Sequence, residues 1–189
     1  MITITPQQDE DLEAKLMARV ARGDIGAFES LVDRYQGHLI QFFTLLAGDH
    51  AVGEELAQEV FLRLYRSRKQ YRPKAKFKTY LNQIARNLWI DHSRRRGPGL
   101  LSLDWENEVG DPLSARLPSI RDHEPKPEKL ALHRALFQLS TDHRMVLLLH
   151  SVWGLSQTEI SSVLNLPVGT VKSRMHHAIR NLRNLLEAK

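Results

Sequence analysis

The chain has no cysteine. A disulfide framework, a thiolate nucleophile and a zinc–thiolate site are therefore excluded. No apolar run approaches the ~18 residues that a membrane-crossing helix needs. Met1 to Leu12 is polar and acidic, without the apolar core of a signal peptide. The alternation of apolar and polar residues that marks a half-buried strand is missing at any useful length. Internal repeats and low-complexity tracts are missing too. Acidic residues are nearly absent from one long segment, since residues 61–97 carry 12 Lys and Arg against Asp91 alone. These gaps lead to the expectation of a cytoplasmic, all-α protein with an uneven charge distribution.

The 189 residues suffice for one domain or two small ones. Two small ones would be simple helical bundles with modest cores. The net charge of +5 hides a pattern: residues 1–60 balance at −7, 61–97 at +11, 98–129 at −3 and 168–189 at +4. Two basic segments with an acidic stretch between them suggest two contacts with a polyanion. Solvated helix faces explain most charge runs, but these segments also carry aromatic and polar residues at telling positions.

Helical periodicity dominates. Phe28, Leu31, Val32, Tyr35, Leu39, Phe42, Phe43 and Leu46 recur at intervals of three and four, and Gly48-Asp49 ends the run. Val52, Leu56, Val60, Phe61 and Leu64 form a second apolar face, broken by Tyr71-Arg72-Pro73. Leu81, Ile84, Ala85 and Leu88 form a third, which ends at Arg94-Arg95-Arg96-Gly97-Pro98. Gly97, Pro98, Gly99, Gly110, Pro112, Pro118, Pro125 and Pro127 then punctuate a segment too long for a loop inside one domain, so it reads as a linker. Its Leu100, Leu101, Leu103 and Trp105 are apolar for a free tether.

The most specific local signal lies between Gly154 and Leu186. Ser156 is placed to cap a short helix from Gln157 to Leu164, with Ile160, Val163 and Leu164 inward. Asn165-Leu166-Pro167 makes a tight turn, and a longer helix starts at Val168. Its expected inward stripe is Val171, Met175, Ala178, Ile179, Leu182 and Leu186. Short helix, turn and longer helix is the helix-turn-helix plan, whose second helix enters the DNA major groove. Lys172, Ser173, His176, His177 and Arg180 share the outward side, with no carboxylate among them. His176 and His177 make a poor metal pair, because adjacent helical residues point about 100° apart.

These blocks resemble a known family over nearly the whole chain. Residues 154–183, GLSQTEISSVLNLPVGTVKSRMHHAIRNLR, are similar to the fourth domain of bacterial sigma factors. FESLVDRYQGHLIQFF resembles the start of the second sigma domain, EELAQEVFLRLYR its polymerase-docking helix, and KFKTYLNQIARNLWIDHSRRR its promoter-melting segment. The chain is identified as a member of the extracytoplasmic-function group, whose members carry only domains two and four. The resemblance implies an all-α fold with domain two over residues 1–97, a linker over 98–127 and domain four over 128–189 with its helix-turn-helix.

It also implies roles. Glu55, Gln58, Glu59 and Leu62 would face the coiled coil of the largest subunit of core RNA polymerase, and domain four the flap of the second subunit. Single-stranded DNA binders combine cations with rings that hold unstacked bases. On that basis Arg72, Lys74, Lys76, Phe77, Lys78, Tyr80, Asn82, Arg86, Asn87, Arg94 and Arg95 are candidates for the −10 promoter element. Some rings must be core instead, with Phe77 and Trp89 first among them. For the −35 element Lys172, Ser173, His176 and His177 are candidate base readers; Arg174, Arg180 and Arg183 are candidate phosphate contacts or structural partners. An anti-sigma factor is an expected partner; no cofactor, metal or catalytic residue is expected. Two differences from the family pattern fall where promoter sequence is read: the RPKAK loop before Phe77 and the His176-His177 pair. Two rival readings are a stand-alone regulator, which would bind its operator without polymerase, and a metal-dependent nuclease, for which no second acidic cluster is present.

Overall fold

A computed structural model describes residues 6–72, 76–95 and 127–187, with side chains from Leu12 and from Glu128 in the first and last segments. Among the described residues there are eight α-helices and no strand. Four belong to the N-terminal half: α1 (Pro6–Ala21), α2 (Ile25–Ala47), α3 (His50–Arg66) and α4 (Phe77–Arg95). Four belong to the C-terminal half: α5 (Pro127–Gln138), α6 (Thr141–Ser151), α7 (Gln157–Leu164) and α8 (Val168–Glu187). No helix among these residues is long and apolar enough to cross a membrane.

Local chemistry sets the helix ends. The Asp24 carboxylate accepts from Ala27 N–H at 3.0 Å and caps α2. That bond, then Arg19 at 2.9 Å, holds the Asp24 carboxyl below its ordinary pKa. Gly48 closes α2 at φ 76°, and a side chain there would lie 3.1 Å from the Phe137 ring. Asp49 caps α3 through Ala51 N–H at 2.8 Å. The α2–α3 hairpin is tight because residue 53 is glycine: a Cβ there would fall 2.3 Å from Thr44 Oγ1. Leu31, Leu39 and Phe43 of α2, Val60 and Leu64 of α3, and Leu81 and Ala85 of α4 are fully buried in this bundle.

In the C-terminal half, Ser156 and Glu159 form a reciprocal capping box on α7, and Asn165 turns the chain at φ 54° towards α8. The expected inward stripe of α8 needs correction. Val171, Met175 and Ala178 are buried, but Ile179 and Leu186 are 44% and 39% exposed. The stripe continues instead through Leu182 and Leu185, which pack with Leu136 and Leu139. A row of alternating threes and fours from Val171 passes through 175, 178, 182 and 185, and so leaves 179 and 186 one position beyond the seam.

The two halves do not stand apart. One continuous apolar core runs from Met17 in α1 through α2 and α4 to Trp153, Ile160 and Val171. Trp153, 4% exposed, lies against Tyr35, His38 and Phe42 of α2, with ring centroids 6.0, 5.5 and 6.4 Å away. Arg144 is 8% exposed and donates to four carbonyls: Leu136, Phe137 and Leu139 of its own half and Leu46 across the seam, at 2.9–3.0 Å. Burial pulls its guanidinium down to about 10, still well above neutrality, so the group stays charged and each carbonyl acceptor is strongly engaged.

Candidate docking and nucleic-acid surfaces

Three surfaces hold the site residues expected from the sequence. The first is on α3. Glu55, Gln58 and Leu62 are exposed, Leu62 by 50%, and Glu59 is half-buried. They border a groove of about 390 Å³ between α3 and α4, together with Asp91 and His92. Arg63 also lines it, 3.0 Å from both the Glu59 and Asp91 carboxylates. Those two hydrogen bonds, Glu59 first, raise the Arg63 pKa and keep the group charged. The groove thus sets Glu55, Glu59 and Asp91 around the exposed Leu62, with Arg63 and Arg95 also in its lining; carboxylates beside an apolar residue suit an arginine-bearing helix.

The second surface is the basic segment from Tyr71 to Arg95. Here the expected residues divide. Phe77 is 2% exposed and its ring lies 5.4 Å from Tyr35 and 6.4 Å from Tyr71. Asn82 is fully buried, and its side-chain N–H donates to Lys78 O at 2.9 Å. Neither presents a group to solvent: for Asn82 this corrects the expected set, and for Phe77 it is the core placement that the sequence reading puts first. Phe77 opens α4 facing the bundle, and Asn82 sits one position after Leu81 on the same buried arc. Tyr71 and Tyr80 stay half-exposed with rings 5.1 Å apart, and the Tyr80 hydroxyl lies 3.1 Å from Ser67 Oγ. Burial, more than the nearby Glu13, pushes the Tyr71 hydroxyl above its usual pKa. Arg72, Asn87, Arg94 and Arg95 are exposed, and Lys78 is half-buried. Lys74 lies outside the described residues. Lys76 and Arg86 meet α7: Lys76 Nζ is 3.2 Å from Glu159, and Arg86 donates to Asn87 Oδ1 at 3.0 Å and to Leu164 O at 3.4 Å.

The third surface is the outward side of α8. Lys172, Ser173, His176 and Arg180 are exposed there. His177 is half-buried, 6.2 Å ring to ring from His143, with Nδ1 3.2 Å from the Arg180 guanidinium. Arg174 turns back to α6 and pairs with Asp142 at 2.6 Å, the structural alternative that sequence reading left open for it. Sequence reading missed Trp153 and Arg144 altogether. Arg144 carried one faint signal, a cation at the edge of the apolar run Met145 to Leu149.

Two family models, which together cover most of the chain, place it among the sigma-70-type initiation factors. Residues 31–98 match the family described as Sigma-70 region 2, and residues 129–182 match Sigma-70, region 4. More narrowly, the chain belongs to the extracytoplasmic-function sigma factors. It is 32% identical over 179 residues to the ECF RNA polymerase sigma factor SigW of Bacillus subtilis (strain 168), covering 91% of this chain and 95% of that protein. It is also 32% identical over 181 residues to the RNA polymerase sigma-H factor of Pseudomonas aeruginosa, covering 93% and 92%. The fold matches CnrH in its complex with the cytosolic domain of CnrY, at a TM-score of 0.71 and 24% identity, covering 94% of this chain and 99% of that one. As a member of this family the protein works with core RNA polymerase to direct promoter recognition in transcription initiation.

Proposed function

We propose that three surfaces divide the work of initiation without any catalytic group. Glu55, Gln58, Glu59 and Leu62 hold the coiled coil of the largest polymerase subunit. Arg72, Lys74, Lys76, Lys78, Tyr80, Arg86, Asn87, Arg94 and Arg95 hold the melted downstream element. Lys172, Ser173, His176 and His177 read the upstream element, with Arg180 on phosphate. Domain four rests on the flap of the second subunit. The protein acts in the cytoplasm and is held inactive there by an anti-sigma factor; the sigma factor RpoE of Bartonella quintana, of the same fold, is found in complex with the anti-sigma factor NepR, which supports this reading.

The observation that carries the assignment is the exposed α3 groove, where Leu62 stands among Glu55, Gln58 and Glu59 beside the basic helix α4. Strand separation then needs no chemistry, only binding energy delivered to single-stranded DNA. The test is co-purification with core polymerase. Glu55→Lys/Glu59→Lys protein is expected to lose at least ~100-fold in polymerase affinity, equal to about 2.7 kcal/mol, while keeping its helical circular-dichroism spectrum. Recovery of the double variant at wild-type yield overturns the assignment of the groove.

A further inference from the structure

The outward side of α8 holds one hydrogen bond whose direction is fixed by chemistry. Arg180 Nη2 lies 3.2 Å from His177 Nδ1. A guanidinium has N–H donors only and no acceptor. The His177 nitrogen therefore accepts, and an accepting Nδ1 carries no proton. A neutral imidazole has one proton for its two nitrogens, so that proton sits on Nε2. Arg180 stands three residues after His177, and long side chains on a helix lean towards its N-terminus, which brings the guanidinium back to the ring.

The ring is also held in place. His177 is half-buried, while His176 beside it is exposed. His143, in the first turn of α6, flanks the His177 ring at 6.2 Å between centroids, and His176 meets it edge-on at 5.8 Å. Among the described residues no carboxylate pairs with His177, and its Nε2 has no hydrogen-bond partner. The opposite arrangement occurs at His150, whose Nδ1 lies 3.0 Å from Leu155 O. A carbonyl only accepts, so there the proton is on Nδ1. The form of His177 is thus a local product of Arg180. Its Nε2–H gives a hydrogen and takes none. Protonating Nδ1 as well would leave Nε2 a donor still. The one state in which Nε2 accepts has its proton on Nδ1, pointed at a guanidinium that cannot receive it. Base edges in the major groove differ in this respect: N7 and O6 of guanine, N7 of adenine and O4 of thymine accept, whereas the amino groups of cytosine and adenine donate.

We propose that Arg180 is a positioning residue that fixes His177 as a one-way hydrogen-bond donor, so that the base His177 meets in the upstream element is recognised through an acceptor and never through an amino group. This rests on the reading of the upstream element by α8 proposed above. The other Arg180 N–H groups stay available to phosphate, so the two roles of that side chain do not compete.

Two measurements test this. The NMR shifts of the imidazole nitrogens in the free full-length protein, recorded above the pH range in which histidine titrates, report the tautomer directly. The His177 signals are assigned by their loss in His177→Ala protein. They are expected to show an unprotonated Nδ1 and a protonated Nε2, and Arg180→Met is expected to move the two shifts towards each other as the second tautomer is populated. A protonated Nδ1 in the wild-type protein, or shifts indifferent to Arg180→Met, overturns the positioning role. The second measurement uses the complex with core polymerase on upstream elements carrying base analogues that each delete one major-groove group, such as deazapurines that lack N7. Deleting one acceptor is expected to weaken binding by about tenfold, the size of one base contact, with wild-type protein but not with His177→Ala protein of unchanged helical circular dichroism. If His177→Ala instead cancels the effect of deleting an amino group, Nε2 accepts and the proposal is overturned. If it cancels the effect of no deletion, His177 reads no base and the upstream assignment of this residue fails, while the nitrogen shifts still decide whether Arg180 fixes the ring.

Discussion

Two helices carry the cations proposed to meet DNA, and they live in opposite circumstances. On α8 the reading side chains Lys172, Ser173 and His176 project into solvent from a helix whose other side is anchored by Val171, Met175 and Ala178. On α4 the cations Lys76 and Arg86 are in contact with the other half of the molecule, and two further candidates, Phe77 and Asn82, are structural. The comparison teaches that positive charge and aromatic content do not by themselves mark an accessible face. A recognition helix must be preformed and exposed to scan duplex DNA. A strand-binding helix has no ligand until the duplex opens, so its surface is free to serve another contact beforehand.

The largest effect expected breaks the apparent likeness between the two helices. If Phe77 is core, Phe77→Ala costs about 3–5 kcal/mol of stability, as for other buried rings, measured by urea denaturation. A stability within about 1 kcal/mol of wild type, with DNA opening lost, would return Phe77 to the strand-binding set. A smaller effect sharpens the description of α8. His176→Ala changes the upstream sequence selected from a randomised promoter by about 1–3 kcal/mol at one position. Arg180→Ala weakens all promoters and lowers the salt slope by about one. His177→Ala falls between these, since that ring is half-buried beside His143 and Arg180. An identical consensus from wild-type and His176→Ala protein would show that His176 touches backbone only.

The smallest effect concerns the pair across the seam. Burial pushes the Glu159 carboxyl up, but the Ser156 N–H and O–H and the Lys76 ammonium together outweigh it, and the net pKa is lowered from 4.5. The folded-state pKa is depressed, so this contribution is present above pH ~4.5 and is lost as pH falls through the lower folded value. Glu159→Gln should remove it, costing under about 1 kcal/mol for so exposed a pair and flattening the acid limb of the stability curve. An acid limb unchanged by Glu159→Gln would mean that other carboxylates set it.

Much of this was legible in the sequence. The periodic faces of α2, α3 and α4, the Gly48-Asp49 break and the Ser156-capped helix-turn-helix follow from local rules of spacing and capping. The family resemblance supplied the candidate residues of all three proposed surfaces. Two kinds of feature were not legible. Whether a residue at the edge of an apolar arc is in or out depends on where its neighbours end; Ile179 and Leu186 fall outside the seam that Leu182 and Leu185 make with Leu136 and Leu139, and Asn82 lies fully buried. Contacts between segments distant in the chain leave no periodic trace either. Trp153 and Arg144 read as an ordinary ring and an ordinary cation until Tyr35 and Leu46, 98 positions from Arg144, are placed beside them.

Arg63 joins the docking groove to the strand-binding helix by a single guanidinium divided between Glu59 and Asp91. That makes it a shared pivot. A polymerase arginine that recruits Glu59 takes away half of what holds Arg63, and Asp91 becomes its remaining acidic anchor. One side chain thus ties α3 to α4 through two carboxylates, Glu59 on the first helix and Asp91 on the second. Arg63→Gln would leave each surface intact in composition and remove the cation that the two carboxylates share.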